Sequence, residues 1–232
     1  GLPGRLNEVE EISKRYNVPL IYDSAPAIGV KLNGDSVLNY GDLSILSFHA
    51  TKVFTTFEGG AIISRSKEMK LKIDQLKNFA IINEETIDGL GINGKMNEAE
   101  AAMGLLQLKY LKKNIAKIKK IFYKYKLKLD KFNYIKTLDI KDGIEYNFGY
   151  FPIFFKNGFK EREKIYGDLY NEGIYCRKYW FPLISSHNFY KNSKKTDLSN
   201  SEKLSNTVLC LPIYPDLSDE DMDRIVKILA KK

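Results

Sequence analysis

Lys52 is the residue whose surroundings most invite chemistry. It follows Ser47-Phe-His-Ala-Thr51 and precedes the turn Glu58-Gly-Gly60. The apolar runs on either side, Ile45 to Phe48 and Ala61 to Ser64, are short and bounded by turn residues, the pattern of buried strands. Lys52 is therefore expected on a loop between two core strands, whereas most lysines of this chain fall on solvated faces. An ammonium held partly out of water releases its proton more readily, and a neutral amine can form a Schiff base with a carbonyl carbon.

A second stretch, Pro19-Leu-Ile-Tyr-Asp23, reads as a strand ending in a carboxylate, with Ser24-Ala-Pro-Ala-Ile-Gly29 after it. Ligands of open α/β sheets sit beyond the carboxyl ends of the strands, which puts Asp23 and Lys52 on one edge. A carboxylate there can simply cap the next turn. Paired with a lysine in register, it can instead keep the ring nitrogen of pyridoxal phosphate (PLP) protonated, so that the ring accepts electrons from a carbanion. Ser47 is either a satisfied core hydroxyl or a ligand. His49 is a packing residue, a proton relay or a substrate contact.

With Asp23-Ser-Ala-Pro-Ala-Ile-Gly29, Gly41-Asp42, Ser47-Phe-His-Ala-Thr-Lys52, Glu58-Gly-Gly60, Gly91-Ile-Asn-Gly-Lys-Met-Asn97 and Leu211-Pro-Ile-Tyr-Pro215, the chain resembles the DegT/DnrJ/EryC1/StrS sugar aminotransferases. These have the fold-type-I aspartate-aminotransferase architecture and use PLP. The resemblance implies that Lys52 is the catalytic Schiff-base residue and that Asp23, Ala25, Ser47 and Asn93 bind the cofactor. It makes His49, Tyr179, Trp180 and His187 candidates for substrate contact. It further implies glutamate as amino donor, 2-oxoglutarate as its product, and a nucleotide-linked 3-keto or 4-keto-6-deoxyhexose as acceptor. The setting would be amino-sugar biosynthesis for lipopolysaccharide or another glycan. The enzyme would be a homodimer with shared active sites, Asn93 reaching the partner's cofactor phosphate. A related sugar dehydratase has histidine in place of the lysine, which argues against that activity here. Pro26 replaces the Gln or His that contacts the ring hydroxyl, Phe57 replaces a usual Gly, and Gly94 and Lys95 replace an aromatic and an Arg. The alternative reading is a non-catalytic sugar-nucleotide-binding or assembly protein on the same scaffold.

Periodicity supplies the elements that must hold these residues. Leu6 to Tyr16 reads as an amphipathic helix with Val9 and Ile12 on one face, Ser66 to Asn78 as a charged helix, and Ile82 to Gly94 as a loop. From Glu98, apolar residues at three- and four-residue steps (Ala101, Leu105, Leu108, Leu111, Ile115, Ile118, Phe122, Tyr125, Leu129) predict one long helix with a core-facing stripe. Strands are expected at Tyr146–Phe155, Ile174–Lys178 and Val208–Leu211. Helices are expected at Lys160–Asn171, Asn200–Thr207 and after the N-cap Ser218. The fold class is α/β: part of a large mixed PLP-binding domain (1–107), a connecting helix (108–130) and a small C-terminal α+β domain (131–232). The family's phosphate cradle and ring-stacking residue have no counterpart in the chain, so an N-terminal portion is expected to be missing.

Composition narrows the partners. Of 232 residues, 37 are Lys or Arg and 29 Asp or Glu, a net charge of +8. The lysines are spread along helices, which favours solubility and an anionic substrate over nucleic acid. Cys176 and Cys210 form neither a disulfide framework nor a metal-ligand spacing, and no metal is expected. No stretch reads as a signal peptide or is apolar enough to span a bilayer, so a cytoplasmic protein with reduced thiols is expected.

Overall fold

A computed structural model describes residues 1–190, 192 and 196–231. In chain order the elements are α1 (Leu6–Tyr16), β1 (Ile21–Asp23), β2 (Lys31–Leu32), β3 (Asp35–Ser36), β4 (Leu43–Ser47), β5 (Gly60–Ser64), α2 (Lys67–Leu76), β6 (Ile81–Asn83), β7 (Thr86–Ile87), α3 (Glu98–Leu129), β8 (Ile135–Thr137), β9 (Ile144–Glu145), β10 (Phe151–Phe155), α4 (Phe159–Asn171), α5 (Ser199–Thr207), β11 (Val208–Leu211) and α6 (Asp219–Leu229). The chain divides into two compact units, Gly1–Asn114 with Ile140–Asn147, and Ile115–Asp139 with Phe148–Lys232. The division falls inside α3, and the short stretch 140–147 returns to the first unit.

The first unit is built on a sheet of order β1-β4-β5. β1 and β4 run parallel with Asp23 opposite Ile45, and β4 and β5 run antiparallel with Ile45 opposite Ile62. Because β1 and β4 share a direction, their carboxyl ends open on the same edge. The turn Gly41-Asp42 sets this pairing. The Asp42 carboxylate accepts from Leu20 N–H at 2.7 Å, and its own N–H donates to Leu20 O at 2.8 Å. Gly41 has φ +73°, and a Cβ there would lie 2.8 Å from the Tyr22 ring and 2.9 Å from Leu20 O.

The strands were expected to be buried, but only one face is. Ser44 and Leu46 point inward, while Ile21, Ile45 and Ile62 on the other face are 55%, 43% and 49% exposed. Alternation is strict in a strand, so an all-apolar run needs cover on both sides, and α2, which packs beside β5, leaves the second face half open. The predicted apolar face of α1 is exposed too: Leu6 is buried, Val9 and Ile12 are not.

A smaller sheet, β3-β2-β9, carries the chain away from the Asp23 edge and ties it to the returning stretch. Its hairpin turn is Asn33-Gly34, both with positive φ, as a two-residue turn between twisted strands requires. Lys31 and Glu145 pair across β2 and β9 at 3.2 Å. The segment read as a loop at 82–94 instead contains the β6–β7 hairpin, its turn fastened by Glu85 N–H to Asn83 Oδ1 at 3.0 Å.

The second unit has a conventional closed core. Its antiparallel sheet, β11-β10-β8, turns Phe151, Ile153 and Phe155 inward by alternation. Against them lie Phe122, Tyr125 and Leu129 of α3, Leu169 of α4, and Met222 and Leu229 of α6, all fully buried. Phe122 meets Phe151 edge-on at 4.8 Å. Each such ring contributes about 2–3 kcal/mol by burial, far more than surface pairs such as Lys124–Asp219. The stripe on α3 is therefore core only in its second half; Leu105 is 73% exposed and Leu108 also lies outside.

Of the expected strands, one is shorter than read and one does not form. The run from Tyr146 becomes a strand only at Phe151, because Phe148 takes φ +59°, which breaks the extended backbone. Ile174–Lys178 forms no strand, only a bridge between Arg177 and Cys210, with N–H···O distances of 3.1 and 2.8 Å. Among the described residues no helix is long and apolar enough to cross a membrane, and no group of three His, Cys, Asp or Glu is placed to hold a metal.

Two measurements check this packing. Gly41→Ala is expected to destabilise the first unit by about 1–3 kcal/mol, read as a lower urea midpoint, since a side chain there meets both strain and a clash. Cys176 and Cys210 are free and buried, and burial pushes both thiols up to about 12. Thiolate is the reactive form, so neither should be alkylated at about pH 8 until the chain is unfolded.

Candidate active site

The parallel pairing of β1 with β4 delivers two loops to one edge. The first follows Asp23 and the second carries Phe48 to Gly59. They are stitched together by Ser24 N–H to Ile45 O at 2.9 Å and by Ser47 N–H to Ala25 O at 3.3 Å. Asp23 Oδ1 accepts from Ala25 N–H at 3.1 Å, so the carboxylate does cap its own turn. Ser47 is half-buried, and its Oγ accepts from His49 N–H at 3.3 Å. Asp23 lies opposite Ile45, and Ser47 follows Ile45 by two, so both side chains belong to the same face of the sheet.

Lys52 sits half-buried on the second loop, its backbone N–H donating to His49 O at 2.9 Å. Its loop is tied to the strand edge through His49, whose own N–H reaches Ser47 Oγ. Asp23, Ala25, Ser47, His49 and Lys52 are thus brought together.

His49 is oriented by its own loop. Its Nδ1 accepts from Thr51 N–H at 3.2 Å and lies 2.9 Å from the Thr51 hydroxyl. That leaves the ring proton on Nε2, which faces Glu58 Oε1 at 3.6 Å. Sequence reasoning did not single out Thr51 or Glu58 as partners of His49; their positions two and nine residues on, across the same loop, are the available signal.

The Glu58-Gly-Gly60 turn has steric grounds. Gly59 has φ +120°, and a Cβ on Gly60 would lie 2.6 Å from Leu46 O. Phe57, exposed, adopts φ +71°, which explains why glycine suits this position; its N–H donates to Thr55 Oγ1 at 2.9 Å. Thr56 is fully buried and its hydroxyl donates to Glu58 O. Asn93 lies outside this cluster. It bridges to Asn78, and its Oδ1 accepts from Lys95 Nζ at 2.8 Å, while that ammonium also stands over the Phe79 ring.

Tyr179, Trp180 and His187 belong to the second unit. Tyr179 Oη is 3.2 Å from Tyr150 Oη, and its ring stacks on Trp180 at 4.3 Å. Trp180 O accepts from the buried Ser205 hydroxyl at 2.7 Å. The next residue, Phe181, lies over the guanidinium of the fully buried Arg162 at 4.4 Å. His187, exposed, closes a short turn, its N–H reaching Ile184 O at 3.1 Å.

Sequence reasoning also passed over Asn147. It is buried among aromatic neighbours in the chain, and its Nδ2 donates to Pro26 O at 2.8 Å and to Ile28 O at 2.9 Å. A lone amide inside the run Tyr146 to Phe151 was the only hint, since a buried polar group must find partners.

The model of the DegT/DnrJ/EryC1/StrS aminotransferase family matches residues 1–230. The chain belongs to that family. It is similar to the dTDP-4-amino-4,6-dideoxy-D-glucose transaminase of Shigella dysenteriae, 41% identical over all of this chain and 64% of the relative. Among solved structures it is similar to DesI, crystallised in the presence of its TDP-sugar product, at 27% identity and TM-score 0.92 over 99% of this chain and 59% of that one. A Streptococcus pneumoniae protein in its PLP form shares the fold at TM-score 0.87 and 23% identity over 98% of this chain and 64% of that one. The chain thus spans somewhat less than two thirds of the length of the curated transaminases it matches, and its architecture is the family's mixed α/β fold.

Thr56→Val keeps the shape and removes the donor to Glu58 O. It should cost about 1–2 kcal/mol, measured as a shift in the urea unfolding midpoint of the first unit.

Proposed function

We propose that this chain is the greater part of a PLP-dependent aminotransferase that places an amino group on carbon 4 of a dTDP-linked 4-keto-6-deoxyhexose. The observation that carries the reading is the convergence of Asp23, Ser47 and Lys52 on one sheet edge, in a chain 41% identical to a transaminase named for a dTDP-linked 4-amino-4,6-dideoxy sugar. We read residues 1–107 as the PLP-binding part, 108–130 as the connecting helix and 131–232 as the small domain, with 140–147 packed on the first.

The donor set fits the cofactor: an amine, an acid and a hydroxyl come from two loops locked to each other. Asp23 would hold the ring-nitrogen proton, Ala25 would lie against the ring, and Ser47 would bind the phosphate. Lys52 would hold the aldehyde carbon. When bound, PLP supplies an electron sink for the charge that develops on the amino donor's α-carbon. The Lys52 amine would be the base that takes the donor's α-proton and the acid that returns a proton to sugar carbon 4. Glutamate serves as donor and leaves as 2-oxoglutarate before the sugar enters, so the kinetics are ping-pong. His49, steered by Thr51 and Glu58, would contact a substrate; Tyr179, Trp180 and His187 stay substrate candidates on the resemblance alone. A net charge of +8 favours a diphosphate-linked sugar.

The working form is a homodimer. Leu90, 99% exposed, Ile87, Ile92 and Leu105 together leave an apolar surface on the first unit of the kind that a partner subunit covers. Asn93, on the same segment, would complete the partner's phosphate site. Reduction of the PLP-loaded protein with borohydride, followed by peptide mapping, is expected to put the cofactor mainly on Lys52, and Lys52→Ala should abolish transamination. Adducts scattered over the many lysines would support the non-catalytic alternative.

A further inference from the structure

The loop after Asp23 leaves few backbone acceptors to chance. Ser24 O accepts from Ala27 N–H at 2.8 Å, Ala25 O from Ser47 N–H at 3.3 Å, and Ala27 O from Val30 N–H at 3.1 Å. The two carbonyls between and beyond them, Pro26 O and Ile28 O, are both taken by the single amide nitrogen of Asn147. We propose that Asn147 is a positioning residue of the cofactor site: its carboxamide fixes the loop 24–29 and thereby sets where the Asp23 carboxylate stands. The inference rests on the reading of Asp23 and Lys52 as the PLP residues.

The chemistry of the clamp is specific. Both neighbours are carbonyl oxygens, so only the NH2 end of the amide can face them. Asn147 is 1% exposed, so water cannot replace it there. Leucine would leave two carbonyls without donors, and aspartate would present an acceptor to acceptors. Asn147 is held at the correct height by β9, which ends two residues earlier and pairs with β2, the strand that the clamped loop feeds. The far end of the loop is therefore fastened twice, by a strand pairing and by an amide. The near end is Asp23 itself, whose Oδ1 is bonded to the loop at Ala25 N–H. A loop that slackens at Pro26 and Ile28 pulls on that bond directly.

The test compares the whole wild-type protein with Asn147→Ala and Asn147→Asp, with and without PLP. Without PLP, hydrogen exchange in 24–30 should rise in both variants while α2 and β5 stay as in wild type. With PLP, the dissociation constant should rise about tenfold or more, and the pH midpoint of the bound cofactor's visible band should shift, because that band reports the charge Asp23 places beside the ring. A faster-exchanging loop with wild-type affinity and an unmoved midpoint would make Asn147 merely structural and overturn the proposal. If both variants fail to fold, Asn147→Gln keeps the NH2 on a longer stem; faster exchange in 24–30 together with a wild-type midpoint in that variant would also overturn it. Absence of any Lys52-linked band in the wild type would instead sink the PLP reading, and this inference with it.

Discussion

Everything at the candidate site depends on the parallel pairing of β1 with β4. Had the two strands run in opposite directions, Asp23 and Lys52 would stand at opposite ends of the sheet. The register places Asp23 beside Ile45, so the chain beyond each strand emerges at nearly the same height. The turn at Gly41-Asp42 enforces that register from below, through bonds to Leu20 that only a tightly turned backbone can make. The two emerging loops are then tied by main-chain bonds, so that the acid and the amine share one rigid frame.

The two units solve the burial problem differently. The second closes its sheet with α3, α4 and α6, and its core aromatics are fully covered. The first presents the outer face of its sheet, one side of α1, the β6–β7 hairpin and the early part of α3 to solvent. The site edge is nonetheless well ordered in bonding terms, because its loops are satisfied internally.

Residue types and spacing marked the candidate site before any fold. Lysine after Ser-Phe-His-Ala-Thr, an acid at a strand end and Glu-Gly-Gly each carry a steric or electronic requirement that few other residues meet. Long-period features were legible as well, since α3 and α6 announce themselves by apolar spacing and an N-cap. Periodicity shows that a face is apolar but not what lies on it, and so Leu105 and Leu108 read the same as Phe122 although only the last is core. The β6–β7 hairpin was hidden because its turn is made of acids and its strands are two or three residues long. The stretch 174–178 has strand composition, yet only Arg177 bridges to a strand, and no local pattern encodes that. Asn147 was missed for a related reason: its partners lie about 120 residues away, and a single amide among aromatics has no period.

The return of 140–147 to the first unit means that the two bodies are braided along the chain. No single cut separates them, since any break after α3 strips the first unit of its last strand and of the amide that follows it. Recombination between relatives faces the same geometry. A crossover within α3 would bring in a foreign second unit together with a foreign 140–147, and that stretch would have to fit a loop from another parent. Exchange of the second unit as a cassette therefore needs junctions at three places in the chain: within α3, before 140 and after 147. Families built this way can diversify their small domain by substitution more easily than by shuffling.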